Sequence, residues 1–220
     1  MARDQKPMRP RDAASLVIYR RAGQQFEVLM GRRSETARFK PGMYVFPGGG
    51  LERADHQVRT RSTLAPSIVD RLAVAGSTAR AHALALAAVR ETYEEVGVMV
   101  GEPGDIGRNP SPSWQAFQDR GVEPPLGRMS YLGRAITPSV QPIRFHARFF
   151  AVDAALAHGE PQPSGELHDV QWVPLAEVQR LDVMAVTLLM LEALSRQLQA
   201  RDTRAAFLSV PRGQRRILWV

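Results

Sequence analysis

At 220 residues, 44% hydrophobic and 23% charged, the chain has enough length and apolar content for one large domain with a buried core, and too much for general disorder. It contains no cysteine, which excludes a disulfide scaffold, a thiolate metal site and a cysteine nucleophile. The net charge of +7 suits a polyphosphorylated small molecule; without a basic stretch interleaved with aromatics, neither nucleic acid nor a membrane is expected as a partner. No apolar run reaches the roughly 18 residues of a membrane span, and the apolar segment after Met1–Asp12 is too short for a secretory leader, so a cytoplasmic protein is expected.

Residues 1–12, charged and containing proline, read as a flexible N-terminus. Ala14–Arg20 and Phe26–Gly31 are β-rich runs joined by a glycine-containing loop, the pattern of a hairpin. Met43–Phe46 is a short apolar strand closed by Pro47-Gly48-Gly49-Gly50, a strong breaker. Glu52–Thr78 loses all periodicity apart from a short helical stretch at Pro66–Val74. Ala79–Val96, alanine-rich and free of Gly and Pro, is the clearest helix, with Gly97 in the position of a C-cap. A short strand at Val98–Val100 follows, then a Pro/Gly/Asp-rich segment to Gly127 in which Trp114 and Phe117 pin a short helix. Strands are expected at Arg128–Ile136, Arg144–Val152 and Val170–Val173, a helical region from Pro174 to about Gln199 with a break near Asp182, and a final strand at Arg216–Val220. Mixed strands with helices between and after them indicate an α/β or α+β sandwich.

The chemistry is concentrated on Arg90-Glu91-Thr92-Tyr93-Glu94-Glu95-Val96-Gly97-Val98. At about 100° per residue, Glu95 lies about 40° and Glu94 about 60° from Glu91, on either side of it, so three carboxylates share one arc. Ala85, Val89, Thr92 and Val96 form the neighbouring stripe, which is expected to face the core. An isolated Glu-Glu pair reads as a solvated acidic face; here the carboxylates adjoin the buried stripe, and hard oxygen donors on a rigid helix suit Mg²⁺ or Mn²⁺. Phe46-Pro47-Gly48-Gly49-Gly50 supplies a bare backbone that a metal or phosphate can approach closely.

Together these segments resemble the Nudix hydrolases. That family's signature is Gly, five residues, Glu, seven residues, Arg-Glu, an aliphatic, any residue, Glu-Glu, any residue, Gly, aliphatic. Its second half matches Arg90, Glu91, Glu94, Glu95, Gly97 and Val98, with Thr92 in place of the aliphatic residue. Strict spacing would set Gly76 as the signature glycine and His82 as its acid. The register preferred here starts at Phe46-Pro47-Gly48-Gly49, with Gly49 as the glycine and Asp55 as the acid, and then has about 27 additional residues before Arg90. An interrupted signature is similar to the coenzyme A diphosphatase branch. Arg32-Arg33-Ser34, Phe39-Lys40-Pro41-Gly42 and Ala135-Ile136-Thr137-Pro138 with Arg144–Phe150 also resemble that branch, although Lys40 stands near the place of its usual histidine.

The resemblance implies a Nudix-type α/β/α sandwich with a mixed sheet over residues 13–200, an insertion at about 53–78 and a C-terminal extension at 201–220. It implies metal-dependent cleavage of a nucleoside diphosphate derivative, coenzyme A or acyl-coenzyme A first, with ADP-ribose or NADH as alternatives and a non-catalytic ligand sensor as the remaining one. Glu91 and Glu95 would be the main metal ligands, Glu94 a third or water-bridged one, and the Gly49 carbonyl a further donor. Arg90 would orient a glutamate, and Arg33, Arg38 and Lys40 would meet substrate phosphates. Glu166 is a candidate general base or extra ligand, Asp55 a secondary structural or metal-region candidate, and His82 and His146 are assigned structural roles. A homodimer is the expectation carried over from the family, and the insertion, by its position, is expected to form a lid or a substrate wall.

Overall fold

The computed structural model describes residues 8–220. In chain order the elements are β1 (Arg11–Ala22), β2 (Gln25–Arg33), β3 (Tyr44–Val45), β4 (Gly48–Gly50), α1 (Pro66–Arg71), α2 (Thr78–Val96), β5 (Met99–Val100), β6 (Glu102–Pro103), α3 (Pro112–Asp119), β7 (Val122–Glu123), β8 (Ser130–Ile136), β9 (Phe145–Asp153), β10 (Ala157–His158), β11 (Leu167–Pro174), α4 (Ala185–Ala200), β12 (Ala206–Ser209) and β13 (Arg216–Trp219). Nine strands form one mixed sheet in the order β11-β2-β1-β9-β8-β12-β13, with β3 added on β2 and β4 on β1. The β1–β9 and β8–β12 pairs are parallel and the remaining pairs antiparallel.

Two apolar clusters sit on the two faces of this sheet, which makes the fold an α/β/α sandwich of the α+β class. On one face Leu16, Ile18, Phe150 and Val152 pack against α1, α2 and α3. On the other, Val17, Val28, Met30, Phe149 and Ala151 pack against Leu189, Met190, Ala193 and Leu194 of α4. Alternation along β1 and β9 serves both cores, as a period of two requires. Among the described residues no helix is long and apolar enough to cross a membrane.

Helix α2 carries the stripe read from its sequence: Ala85, Val89, Thr92 and Val96 are all fully buried. The Thr92 hydroxyl donates to the Ala88 carbonyl at 2.8 Å, so a polar side chain fits an apolar position. Ser77 caps the first turn by accepting from the Arg80 amide, and Gly97, with φ of 70°, ends the helix in the left-handed region.

Several expectations are corrected. The glycine run is not a breaker: Gly48–Gly50 is itself a strand, paired with Ala13–Ser15. The N-terminal segment expected to be flexible contributes Arg11 and Asp12 to β1, where they lie beside Phe145 and His146; residues 1–7 fall outside the described residues. The helical region expected from Pro174 to about Gln199 is met by α4 from Ala185 onward; ahead of it β11 runs through Pro174, residues 175–181 form turns with a 3₁₀ turn at Val178–Arg180, and the break expected near Asp182 precedes α4. Strand β12 was not anticipated; it pairs in parallel with β8, a non-local pairing that a four-residue run does not reveal. The body of the insertion is core rather than lid, since Leu64, Ile68, Val69, Leu72 and Val74 are buried in the α2-side cluster.

Candidate active site

Strand β1 pairs with β2 near its C-terminal end and with β4 near its start, so the two partners diverge on the same side of β1. The last turns of α2 lie against β4 in that divergence. The Gly48 amide donates to Glu95 Oε2 at 2.7 Å. A methyl group built on Gly49 would fall 2.5 Å from the Glu91 carboxyl carbon, and one on Gly48 would fall 2.5 Å from the Ala14 carbonyl oxygen. Only glycine permits this approach of backbone to carboxylate. Gly76, the alternative signature glycine, has open space around it, and His82 is occupied in accepting from the Leu64 amide at 3.3 Å. Gly49 and Asp55, rather than Gly76 and His82, are the residues that adjoin Glu91 and Arg90.

Arg90 is the hub beneath the carboxylates. It is 1% exposed, and its guanidinium donates to Asp55 (2.9 and 3.2 Å), Glu91 (3.0 Å), Glu94 (2.8 Å) and the Gly50 carbonyl (2.8 Å). Asp55 is fully buried and also accepts from Trp114 Nε1 (3.0 Å) and the Glu52 amide (2.8 Å), so the charge under Arg90 is itself completely satisfied. Burial works against the Arg90 charge, but the bonds and charge of Asp55, with Glu91 and Glu94 behind it, hold its pKa above the ordinary guanidinium value. Asp55 thus keeps the acidic position that the sequence assigned it, as the anchor of Arg90.

The three glutamates separate into two roles. Glu91 and Glu95 are drawn inward, with Glu95 4% exposed. Glu94 is turned outward, taking bonds from Arg90 and from the Ser113 hydroxyl of α3. Burial, then the charges of Glu94 and Glu166, raise Glu91 to about 7 against the pull of Arg90. Burial again leads for Glu95, which rises to about 8; Glu91 and Glu166 add to the rise while the Gly48 amide and Arg33 oppose it. Glu166 is exposed on the segment before β11, close enough for its charge to act on both carboxylates, and its carbonyl accepts from the Ser34 amide at 3.1 Å. Arg33, at the end of β2, has a buried Nε without a hydrogen-bond partner and acts electrostatically on Glu95. Arg38 and Lys40 stand exposed on the loop that follows.

Among the described residues no three acidic or histidine side chains form a ready-made cage for a metal ion. The donor set is a carboxylate pair beside bare glycine backbone, which fits a hard divalent cation that retains several waters rather than one enclosed by protein. Burial and neighbouring carboxylates raise Glu91 and Glu95 in spite of Arg90 and Arg33, so a cation bound beside them would favour their charged forms. Ser113, Trp114 and the Gly48 amide were not legible as site members, because each is joined to the carboxylates only by tertiary contact. His146 lies away from the site, with Nε2 3.3 Å from Arg134 Nη1.

The family model for the NUDIX domain matches residues 73–193, more than half of the chain. The matched range opens in the insertion, so β1 to β4 and Asp55 lie outside it although they complete the sheet and the carboxylate site. A NUDIX hydrolase from Alicyclobacillus acidocaldarius is 32% identical, with 85% of this chain and 91% of that one covered at a TM-score of 0.64. The NUDIX domain of Shewanella oneidensis NrtR, solved with ADP ribose, shares the fold at 15% identity, 87% and 90% coverage and a TM-score of 0.52. The MutT protein of Bacillus halodurans does so at 12% identity, 94% and 97% coverage and a TM-score of 0.50. With the family model matching more than half of the chain and a relative at 32% identity aligned over most of both chains, the chain belongs to the NUDIX domain family and is a hydrolase of the pyrophosphatase type.

Proposed function

We propose that this protein is a Mg²⁺- or Mn²⁺-dependent pyrophosphohydrolase that cleaves the diphosphate of coenzyme A or acyl-coenzyme A, giving 3′,5′-ADP and 4′-phosphopantetheine or its acyl form. The observation that carries the reading is the buried Glu91–Glu95 pair against the Gly48–Gly49 backbone, with the unpartnered Nε of Arg33 beside it. The choice of coenzyme A is supported by the Arg32-Arg33-Ser34 to Gly49 stretch, whose two ends the fold brings to Glu95 and Glu91.

In this reading Glu91, Glu95 and the Gly49 carbonyl would hold the cation, with Glu94 a third or water-bridged ligand. Bound there, the cation would polarise a phosphoryl oxygen and lower the pKa of the attacking water. Arg90 fixes the rotamers of Glu91 and Glu94 through charge-assisted bonds and is itself fixed by Asp55. Glu166, exposed and with its charge acting on both Glu91 and Glu95, accepts the proton of the attacking water. Arg33 offsets charge on the diphosphate, and Arg38 and Lys40 on their exposed loop meet the outlying 3′-phosphate.

The test is turnover of coenzyme A, an acyl-coenzyme A, ADP-ribose, NADH and 8-oxo-dGTP with Mg²⁺ or Mn²⁺, with products read by mass spectrometry. Metal-dependent release of 3′,5′-ADP from the coenzyme A substrates alone is expected. Release of AMP from ADP-ribose or NADH instead would retain the chemistry and discard the substrate.

A further inference from the structure

A second group of buried charges lies at the opposite, N-terminal end of α2. Arg148 of β9 is 2% exposed and donates to Asp12, to the Leu72 carbonyl at 3.2 Å and to the His146 carbonyl at 2.7 Å. Arg80 of α2 also binds Asp12, so one carboxylate serves two guanidiniums. Arg134 of β8 is the direct cross-strand neighbour of Arg148. It is half-buried, and among the described residues no carboxylate forms an ion pair with it. Its partners are instead His146 Nε2 at 3.3 Å and the ring of Phe207 on β12, whose centroid lies 3.5 Å from its guanidinium carbon. Two arginines thus share one aspartate, and Arg134 beside Arg148 carries the unmatched positive charge.

Three further observations bear on what is missing. The Tyr131 hydroxyl, buried in the same strand, has no hydrogen-bond partner and lies within the electrostatic reach of Arg134, Arg148 and Arg71. His146 is held neutral: burial, then Arg148 and Arg134, push it down to about 4, so it adds no charge of its own and accepts from Arg134. A guanidinium held over an aromatic ring by its central carbon leaves N–H donors at its edge for a tetrahedral oxyanion.

We propose that Arg134, supported by Phe207 and Arg148, forms an anion site for a phosphate-type group, separated from Glu91 and Glu95 along α2. Arg148 pairs with Ala14 on one side of β1 and Gly49 pairs with the same residue on the other, so β1 stands between the two groups. The body of the insertion contributes the Leu72 carbonyl that holds Arg148, so the interrupted signature builds a wall of this second site.

The test is calorimetric titration of inorganic phosphate into the metal-free protein at constant ionic strength. Wild type and Glu95→Gln should bind alike, since the carboxylate end of α2 takes no part. Arg134→Gln should weaken binding by about tenfold or more, and Arg134→Lys, which keeps the charge but loses the planar fork, should fall between. Phe207→Leu provides a check that leaves every charge in place; it should weaken phosphate through loss of the stack while circular dichroism remains native. Absence of phosphate binding by wild type, or equal binding by Arg134→Gln, would overturn the site.

Discussion

The two ends of α2 are opposites in charge. At the C-terminal end one buried arginine, Arg90, is surrounded by Asp55, Glu91 and Glu94, with Glu95 alongside, and the surplus is negative. At the N-terminal end Arg80 and Arg148 share Asp12, Arg134 stands beside Arg148 with His146 as its polar partner, and the surplus is positive. Each end is built on a guanidinium that is almost fully buried and satisfied by carbonyls as well as carboxylates. Such frameworks are costly to assemble. Where the pairing stops short of neutrality, the unmatched charge marks where a counter-ion of the other sign would sit.

The largest effect is expected from Asp55→Ala. It removes the fully buried partner of Arg90 and Trp114 and leaves Arg90 Nε and Trp114 Nε1 unpaired in the core, so stability should fall by about 3–5 kcal/mol in denaturant titrations. A loss below about 1 kcal/mol would remove Asp55 from its place as the anchor.

Glu95→Gln should reduce kcat by about a thousandfold or more while leaving the fold intact, because the amide oxygen can still accept from Gly48. The same variant sharpens the comparison thermodynamically. Glu95 is an acid whose folded pKa, about 8, lies above its unfolded value, so the metal-free protein loses stability as pH rises from about 4.5 to 8. Removing the carboxylate should therefore raise the metal-free melting temperature at pH 8 and leave it nearly unchanged at pH 4.5. A loss of stability at pH 8 would refute the account of Glu95 as a strained carboxylate.

Addition of Mg²⁺ should stabilise wild type more at pH 8 than at pH 6, since Glu91 and Glu95 must both give up their protons to receive it. Equal stabilisation at both pH values would place the ion elsewhere. The smallest effect is at the other end of α2. His146 has a folded value of about 4, below its unfolded one, so stability is lost as pH falls from about 6.5 to 4. His146→Gln should recover about 1 kcal/mol at pH 5 after allowance for its partial solvent access, and nothing at pH 8.

The two ends also differ in how far the sequence announces them. Residues 90–98 are local: spacing on one helix places Glu91 and Glu95 beside the buried stripe, and the glycine run at 48–50 signals its partner. The outward turn of Glu94 was not legible, because Ser113 lies on another helix and helical angles place Glu94 and Glu95 as near equals. The arginine group was wholly illegible, since Asp12, Arg80, Arg134 and Arg148 come from four elements and meet only when β1 pairs in parallel with β9. The sandwich itself followed from alternation and helix periodicity. What periodicity missed was short and non-local: β4 and β12 draw their pairing from β1 and β8 rather than from their own residues.

The insertion, finally, bears on how this chain tolerates shortening. Asp55 near its start is bonded to Arg90, Leu72 near its end is bonded to Arg148, and its apolar residues between fill the layer under α2. Excising it to restore the uninterrupted family spacing would remove an anchor from each end of the helix and leave a void between them. The segment behaves as a tie-beam: a variant trimmed there should fail to accumulate as soluble protein, whereas cuts in the exposed loop around Arg38 should be borne with far less loss.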